Sequence, residues 1–300
     1  MRVLITGGTG LLGKALVGKA GGRFEIIATY SGNYQMRDTG QIKYYNIDIR
    51  DEQKYRNLFK DFKPEAVIHA AGIGNPDYAQ KFKKETRELN FGGTKSIIKN
   101  CEKFGSKFIY ISSNAIYDGN RAPYGEEDEA RPVNYYGQIK LECEKITKKT
   151  KAPWAIVRPI LMYGWNYAFE RQNVITIGIS KLRKNDKFFV YGDVYYNPLY
   201  YYSCAEAIWA VIEKNKFEIF NIAGKDRKSI YELMREVASV FGLNEKLLIP
   251  VKQGFFKELV KRPRDTSYNT AKMESVLKIR PLGIMEGLEL MKREEGALYA

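Results

Sequence analysis

Short apolar runs alternate with longer amphipathic stretches through the first half of this chain. Residues 3–5, 25–29, 43–47, 66–69, 107–111 and 155–158 each read as a strand, apolar enough to be buried on both faces. Between them the spacing turns helical. From Leu11 onward, Leu11, Leu12, Ala15 and Leu16 share one side. Residues 48–62 follow, with Asp48 and Asp51 at the start as the helix dipole favours. Residues 83–104 place Leu89, Ile97, Ile98 and Cys101 inward, and residues 135–150 form another helix. Such alternation predicts an α/β fold built on a doubly wound parallel sheet.

Beyond residue 160 the alternation loosens. Helices are predicted at 174–184, 203–214 and 229–241 and near the C-terminus, with short strands at 188–191 and 219–222. Ser203 with Glu206, and Ser229 with Glu232, have the spacing of capping boxes. The reading is a Rossmann-type domain over residues 1–160, to which later segments return, and a smaller C-terminal α/β lobe over 161–300. That lobe would lie across the sheet edge and create a cleft.

Composition narrows the class. An apolar fraction of 44% suffices for a core, and no run approaches the ~18 apolar residues of a membrane span. Cys101, Cys143 and Cys204 are few and widely spaced, as expected of reduced thiols in a cytoplasm. The net charge of +14 comes from 49 basic residues scattered without a long block. Most of these belong on solvated helix faces. The surplus suits anionic small molecules in a cleft better than a nucleic acid or a membrane surface.

The candidate chemistry begins at the first turn. Gly8, Gly10 and Gly13 fit G-x-G-x-x-G, and Gly7, Gly10 and Gly13 fit the neighbouring G-x-x-G-x-x-G spacing, between a strand and a helix. Glycines there let the backbone approach a pyrophosphate, whose charge meets the helix N-terminus. A dinucleotide site expects an acid about 20 residues further on to hold the ribose hydroxyls. Here Tyr30, Ser31, Gly32 and Asn33 fill that window, and Arg37 precedes the first acid, Asp38. A hydroxyl and a guanidinium without a carboxylate favour NADP, with NAD as the alternative. Ala70, Ala71 and Gly72, at the end of the fourth strand, are small enough for a cofactor to pass closely.

Tyr136 and Lys140 stand four apart on one helix face. An ammonium near a phenol favours the phenolate, and a lysine can also reach a ribose hydroxyl, so the pair suits acid–base work. Ser112 and Ser113 close the fifth strand, where a hydroxyl can donate to a carbonyl that gains negative charge. His69 is the only histidine, which excludes a multi-histidine metal centre and leaves it a packing role; no metal is expected. The acids of 126–129 read as a solvated turn, and the tyrosines of 195–202 as lobe packing. Arg262 and Arg264 flank Pro263 and are candidates for a phosphate clamp or for surface ion pairs. Arg171 and Lys181 are weaker candidates of that kind.

Six segments together resemble the extended short-chain dehydrogenases/reductases, and within them the dTDP-4-dehydrorhamnose reductase type. They are TGGTGLLG from Thr6, HAAG from His69, YISSNAIYDG from Tyr110, YYGQIKLECE from Tyr135, RPILMYG from Arg158 and RPRDTSYNTAK from Arg262. The resemblance implies a catalytic triad of Ser113, Tyr136 and Lys140. It places the cofactor against Gly7, Thr9, Gly10, Leu11, Leu12 and Gly13, then Ser31 and Arg37, then Asp48, Ile49 and Ala70–Gly72, with Asn90, Tyr136 and Lys140. It places a nucleotide-sugar substrate against Ser113, Asn114, Asn173, Arg262 and Arg264, with a homodimer as the candidate assembly. Asn114-Ala115 stand where dehydrating relatives usually carry an acidic pair, which counts against dehydration. Tyr202-Ser203 replace another acid common in relatives, leaving Ser203 a capping role. The expected activity is NADPH-dependent reduction of a keto group on a nucleotide-linked deoxysugar. The rivals are a nucleotide-sugar epimerase using the same triad and a cofactor-binding regulatory subunit like the β subunit of methionine adenosyltransferase.

Overall fold

Seven parallel strands form the central sheet of this computed structural model, which describes residues 1–257 and 259–298. In chain order the first six are β1 (Arg2–Thr6), β2 (Glu25–Tyr30), β3 (Ile42–Asn46), β4 (Ala66–His69), β5 (Lys107–Ile111) and β6 (Trp154–Pro159). The spatial order runs from the edge strand Ile219–Ile222 through β6, β5, β4, β1 and β2 to β3. The order reverses between β1 and β4, the place where open α/β sheets open a crevice at their strand carboxyl ends. Register carries the turns there: Thr6 pairs with Thr29 on one side and His69 on the other.

Side-chain alternation explains why both faces are covered. Val3 and Ile5 face one core with Leu12, Leu16, Cys204 and Ile208, while Leu4 faces the other with Tyr55, Phe59, Ile97 and Ile139. Each such side chain removed from water contributes about 1.5–3 kcal/mol. Helices Leu11–Lys19 and Tyr201–Glu213 lie on the first face, joined where Trp209 Nε1 donates to the Leu16 carbonyl at 3.1 Å. Helices Glu52–Phe62, Gly93–Phe104 and Tyr135–Thr147 cover the second.

The second half divides between layers. Ile219–Ile222 extends the main sheet beside β6, whereas Phe188–Tyr191 pairs with Leu248–Val251, in a separate parallel pair. Ser229 caps the Ile230–Phe241 helix through the expected box with Glu232. Ser203 does not cap: its helix begins two residues earlier, at Tyr201, with Tyr200 as an N-cap whose side chain does not bond to the helix end. Apolar packing of Tyr201 and Cys204 against the sheet extends that helix backward, and Glu206 pairs with Lys19 instead. Nor is the 83–104 stretch one regular helix. It runs as Lys83–Thr86, a wider π-type segment at Arg87–Gly92, and Gly93–Phe104. The acidic turn is not wholly solvated either, because Glu126 accepts the Asn221 backbone N–H at 2.9 Å and its carbonyl accepts from Arg158.

Candidate active site

The glycine turn is compressed against its surroundings on every side but one. Gly7 has a φ of +72°, and a Cβ there would lie 2.8 Å from the Ala71 nitrogen. A Cβ on Gly13 would lie 2.2 Å from the Gly7 carbonyl oxygen, so only glycine lets the helix start so close to the turn. Gly10 differs. A Cβ there meets nothing nearer than 3.5 Å, so packing does not require its lack of a side chain. It is also the N-cap of Leu11–Lys19, has no side-chain cap, and no acid follows in the first turn. An open glycine at an uncapped helix N-terminus fits the pyrophosphate of a dinucleotide. Leu12 is buried beneath it and Leu11 half-buried.

Around this turn the expected residues separate into those that face the cleft and those that hold it. Thr9 bonds to Tyr34 and Glu170, neither of which the sequence reading selected. Ser31 and Arg37 are exposed beyond β2, and Arg37 makes no ion pair among the described residues. Asp48 takes both side-chain and backbone bonds from Arg50, which hold its carboxyl below the usual range. The Ile49 side chain is core, wedged where a Cβ on Gly93 would meet it at 2.8 Å. Asn90 spends both ends of its carboxamide on Ile73, accepting its N–H at 2.7 Å and donating to its carbonyl at 3.0 Å. These two bonds brace the chain just after the Ala70–Ala71–Gly72 wall. His69 is a strut too. Thr6 and Thr94 bond its two ring nitrogens, and burial pushes its pKa down to about 3.

The three side chains expected to form the triad converge on the end of β5. Lys140 reaches from its helix to donate to the Ile111 carbonyl at 2.8 Å. Ser113 caps the short turn Asn114–Ile116, its Oγ accepting the Ala115 N–H at 3.2 Å. Ala115 in turn packs against Tyr136, and a Cβ on Gly137 would lie 2.1 Å from the Ala115 oxygen. Gly137 thus lets the helix press its second residue, Tyr136, onto the turn that carries Ser113. The Tyr136 hydroxyl makes no hydrogen bond among the described residues. Ser112 points the other way, donating to Glu144 at 2.6 Å, and Glu144 forms a buried pair with Arg158 at 2.7 Å. A charged residue at the end of the otherwise apolar β6 is the sequence signal for that pair, since a lone buried arginine would be prohibitive.

On the substrate side the expected contacts are mostly anchored within the protein. Asn114 donates to Thr266 at 2.6 Å, joining the site to the segment after Arg262. Asn173 is a helix cap: its oxygen accepts from Ile175 and Thr176, and its nitrogen donates to the Gly164 carbonyl at 2.8 Å. The oxygen is thus taken up by the cap, while the amide nitrogen keeps a second N–H beyond the one given to Gly164. Arg262 pairs with Asp77 at 2.5 Å, and Arg264 is exposed, its carbonyl accepting from Tyr195. Among the described residues, no group of three or more His, Cys, Asp or Glu is placed to hold a metal, and no helix is long and apolar enough to cross a membrane.

Comparison with known proteins agrees with this architecture. The rat methionine adenosyltransferase 2 subunit beta (Rattus norvegicus) is 27% identical over 281 residues, covering 92% of this chain and 82% of that one. The dTDP-4-dehydrorhamnose reductase of Aggregatibacter actinomycetemcomitans is 24% identical over 294 residues, with 93% and 94% covered. In three dimensions the dTDP-4-dehydrorhamnose reductase of Bacillus anthracis, solved in complex with NADP, superposes with a TM-score of 0.84 at 21% identity over 98% and 99% of the two chains. The family described as the RmlD substrate binding domain matches residues 1–295, and the chain belongs to it.

Proposed function

We propose that the protein reduces a keto group on a nucleotide-linked deoxysugar with a nicotinamide dinucleotide as reductant, NADPH being favoured by Ser31 and Arg37 beyond β2. The observation that carries this reading is the convergence of Ser113, Tyr136 and Lys140 on the end of β5, on the same sheet edge as the open glycine turn and separated from it by β4. When bound, the reduced nicotinamide would supply a hydride to the carbonyl carbon. Tyr136, whose hydroxyl bonds to no described residue, gives the carbonyl oxygen its proton. Ser113 donates a hydrogen bond to that oxygen as charge develops. Lys140, fixed by the Ile111 carbonyl, holds positive charge beside the phenol. Gly10 and the uncapped helix end take the pyrophosphate, while Asn90 keeps the opposite wall in place.

A second reading follows from the likeness to the methionine adenosyltransferase subunit, in which the same cleft binds a dinucleotide and the chain serves another protein. The purified protein, given NADPH with dTDP- or GDP-4-keto-6-deoxysugars, separates the two by nicotinamide absorbance. Consumption that disappears in Tyr136→Phe supports the reductase. Nucleotide binding without turnover of any such sugar supports the subunit.

A further inference from the structure

Beyond β6 the chain returns across the glycine turn. Lys14 donates to the Trp165 carbonyl at 2.7 Å and lies 4.9 Å from the Tyr167 ring, while Arg171 approaches the Gly74 carbonyl at 3.5 Å. Between these ties, four aromatic rings stack in series. Tyr30 lies 5.2 Å from Tyr34, Tyr34 lies 3.9 Å from Phe169, and Phe169 lies 5.2 Å from Tyr167. One ring, Tyr30, ends β2, Tyr34 lies just past it, and the other two belong to the returning segment. Their stacking fixes the next side chain, Glu170. Its Oε1 accepts from the Thr9 hydroxyl at 2.7 Å and from the Tyr34 hydroxyl at 2.9 Å.

The position of this carboxylate matters. In a dinucleotide fold the adenosine ribose sits between the glycine turn and the end of β2, and an acid at the end of β2 accepts its 2′-hydroxyl. That acid is missing here, and Asp38 is turned away to the Tyr44 N–H. Glu170 brings a carboxylate to the same junction from far along the chain, held by Thr9 of the turn and by Tyr34 just past β2. Burial raises the Tyr34 phenol to about 12, so it stays protonated and donates at neutral pH.

We infer that Glu170 is a cofactor-discriminating residue, accepting the ribose hydroxyls of a bound dinucleotide and disfavouring a 2′-phosphate. The inference rests on the dinucleotide reading of the cleft and refines it. Arg37 and Glu170 then act in opposite senses on one phosphate, and the balance between them sets the preference. Because Glu170 follows β6, that preference is written partly outside the βαβ unit where it is normally sought.

Titration calorimetry of the full chain with NAD⁺ and NADP⁺ tests this. Glu170→Gln keeps size and hydrogen bonding but removes the charge, and should raise NADP⁺ affinity relative to NAD⁺ by about tenfold or more. Tyr34→Phe retains the carboxylate and should move the ratio far less. A ratio unchanged within about twofold in Glu170→Gln, or an equal change for both nucleotides, would overturn the inference. A parent protein that binds neither nucleotide would instead sink the dinucleotide reading itself, a result readily told from an unmoved ratio.

Discussion

Arg158 on β6 and Glu144 on the Tyr135–Thr147 helix share a two-point ion pair almost without solvent, their side chains 3% and 1% exposed. Ser112 donates to Glu144, and Arg158 also donates to the Tyr117 hydroxyl and the Glu126 carbonyl. The pair ties β6 to the helix that also carries Tyr136 and Lys140, so its integrity and the seating of that helix go together. Glu144→Gln strands a guanidinium and should cost about 3–5 kcal/mol in urea unfolding. Replacing both partners, as Glu144→Leu with Arg158→Met, should cost clearly less than the sum of the single changes. Additive losses would show that the two charges do not depend on one another.

Tyr136→Phe retains the ring that packs on Ala115 but lacks the proton. Dinucleotide binding should persist while reduction of the sugar falls about 10²–10⁴-fold. Lys140→Ala should damage both, since it also abandons the Ile111 carbonyl. Full activity in Tyr136→Phe would refute the proposed proton donor.

Arg262 is committed to Asp77 as the fold stands, and the Val260 N–H also bonds to that carboxylate. Removing either partner should lower thermal stability, and a double-mutant cycle should return a coupling of roughly 0.5–3 kcal/mol. Measuring KM for a nucleotide sugar alongside decides whether the arginine has a second task. If Arg262→Ala raises KM and Asp77→Ala does not, the guanidinium also meets the substrate.

His69 sets an acid limit. Its folded pKa of about 3 lies below its ordinary value of 6.5, so the unfolded chain binds the extra proton between those values. Its contribution is complete above pH 6.5 and is lost as pH falls toward 3. The unfolding free energy should decline there by up to about 1.4 kcal/mol per pH unit, and His69→Gln should flatten that slope. An identical pH profile in the variant would mean that other groups dominate.

What could be read from sequence was what is local. The strand, the glycine turn and the helix after it are contiguous, and their spacing alone states their geometry. Tyr136 and Lys140 declare a shared face because four residues separate them, and Ser113 declares itself by ending an apolar run. The Ser229 box formed because nothing competed with it, whereas the Ser203 box lost to burial of Tyr201 and Cys204. Long-range pairings left no such trace. Glu170 meets Thr9, and Asp77 meets Arg262, across separations that no periodicity encodes. Asn173 and Asn90 illustrate a further limit: a carboxamide suited to a ligand is equally suited to a backbone, and spacing alone does not reveal the backbone partners each one takes.

The π-type segment at Arg87–Gly92 has a consequence for insertions and deletions. Such a turn accommodates an additional residue within an otherwise regular helix and so shifts the phase between its two ends. Here the shift lets Asn90 face Ile73 while Thr94, within the following helix, faces His69. Deleting one residue between Arg87 and Gly92 would restore an ordinary pitch and swing one of these two side chains about 100° around the axis. The cleft wall or the histidine strut would then come loose, although no residue of the site had been substituted. Length in this stretch is under a tighter constraint than composition.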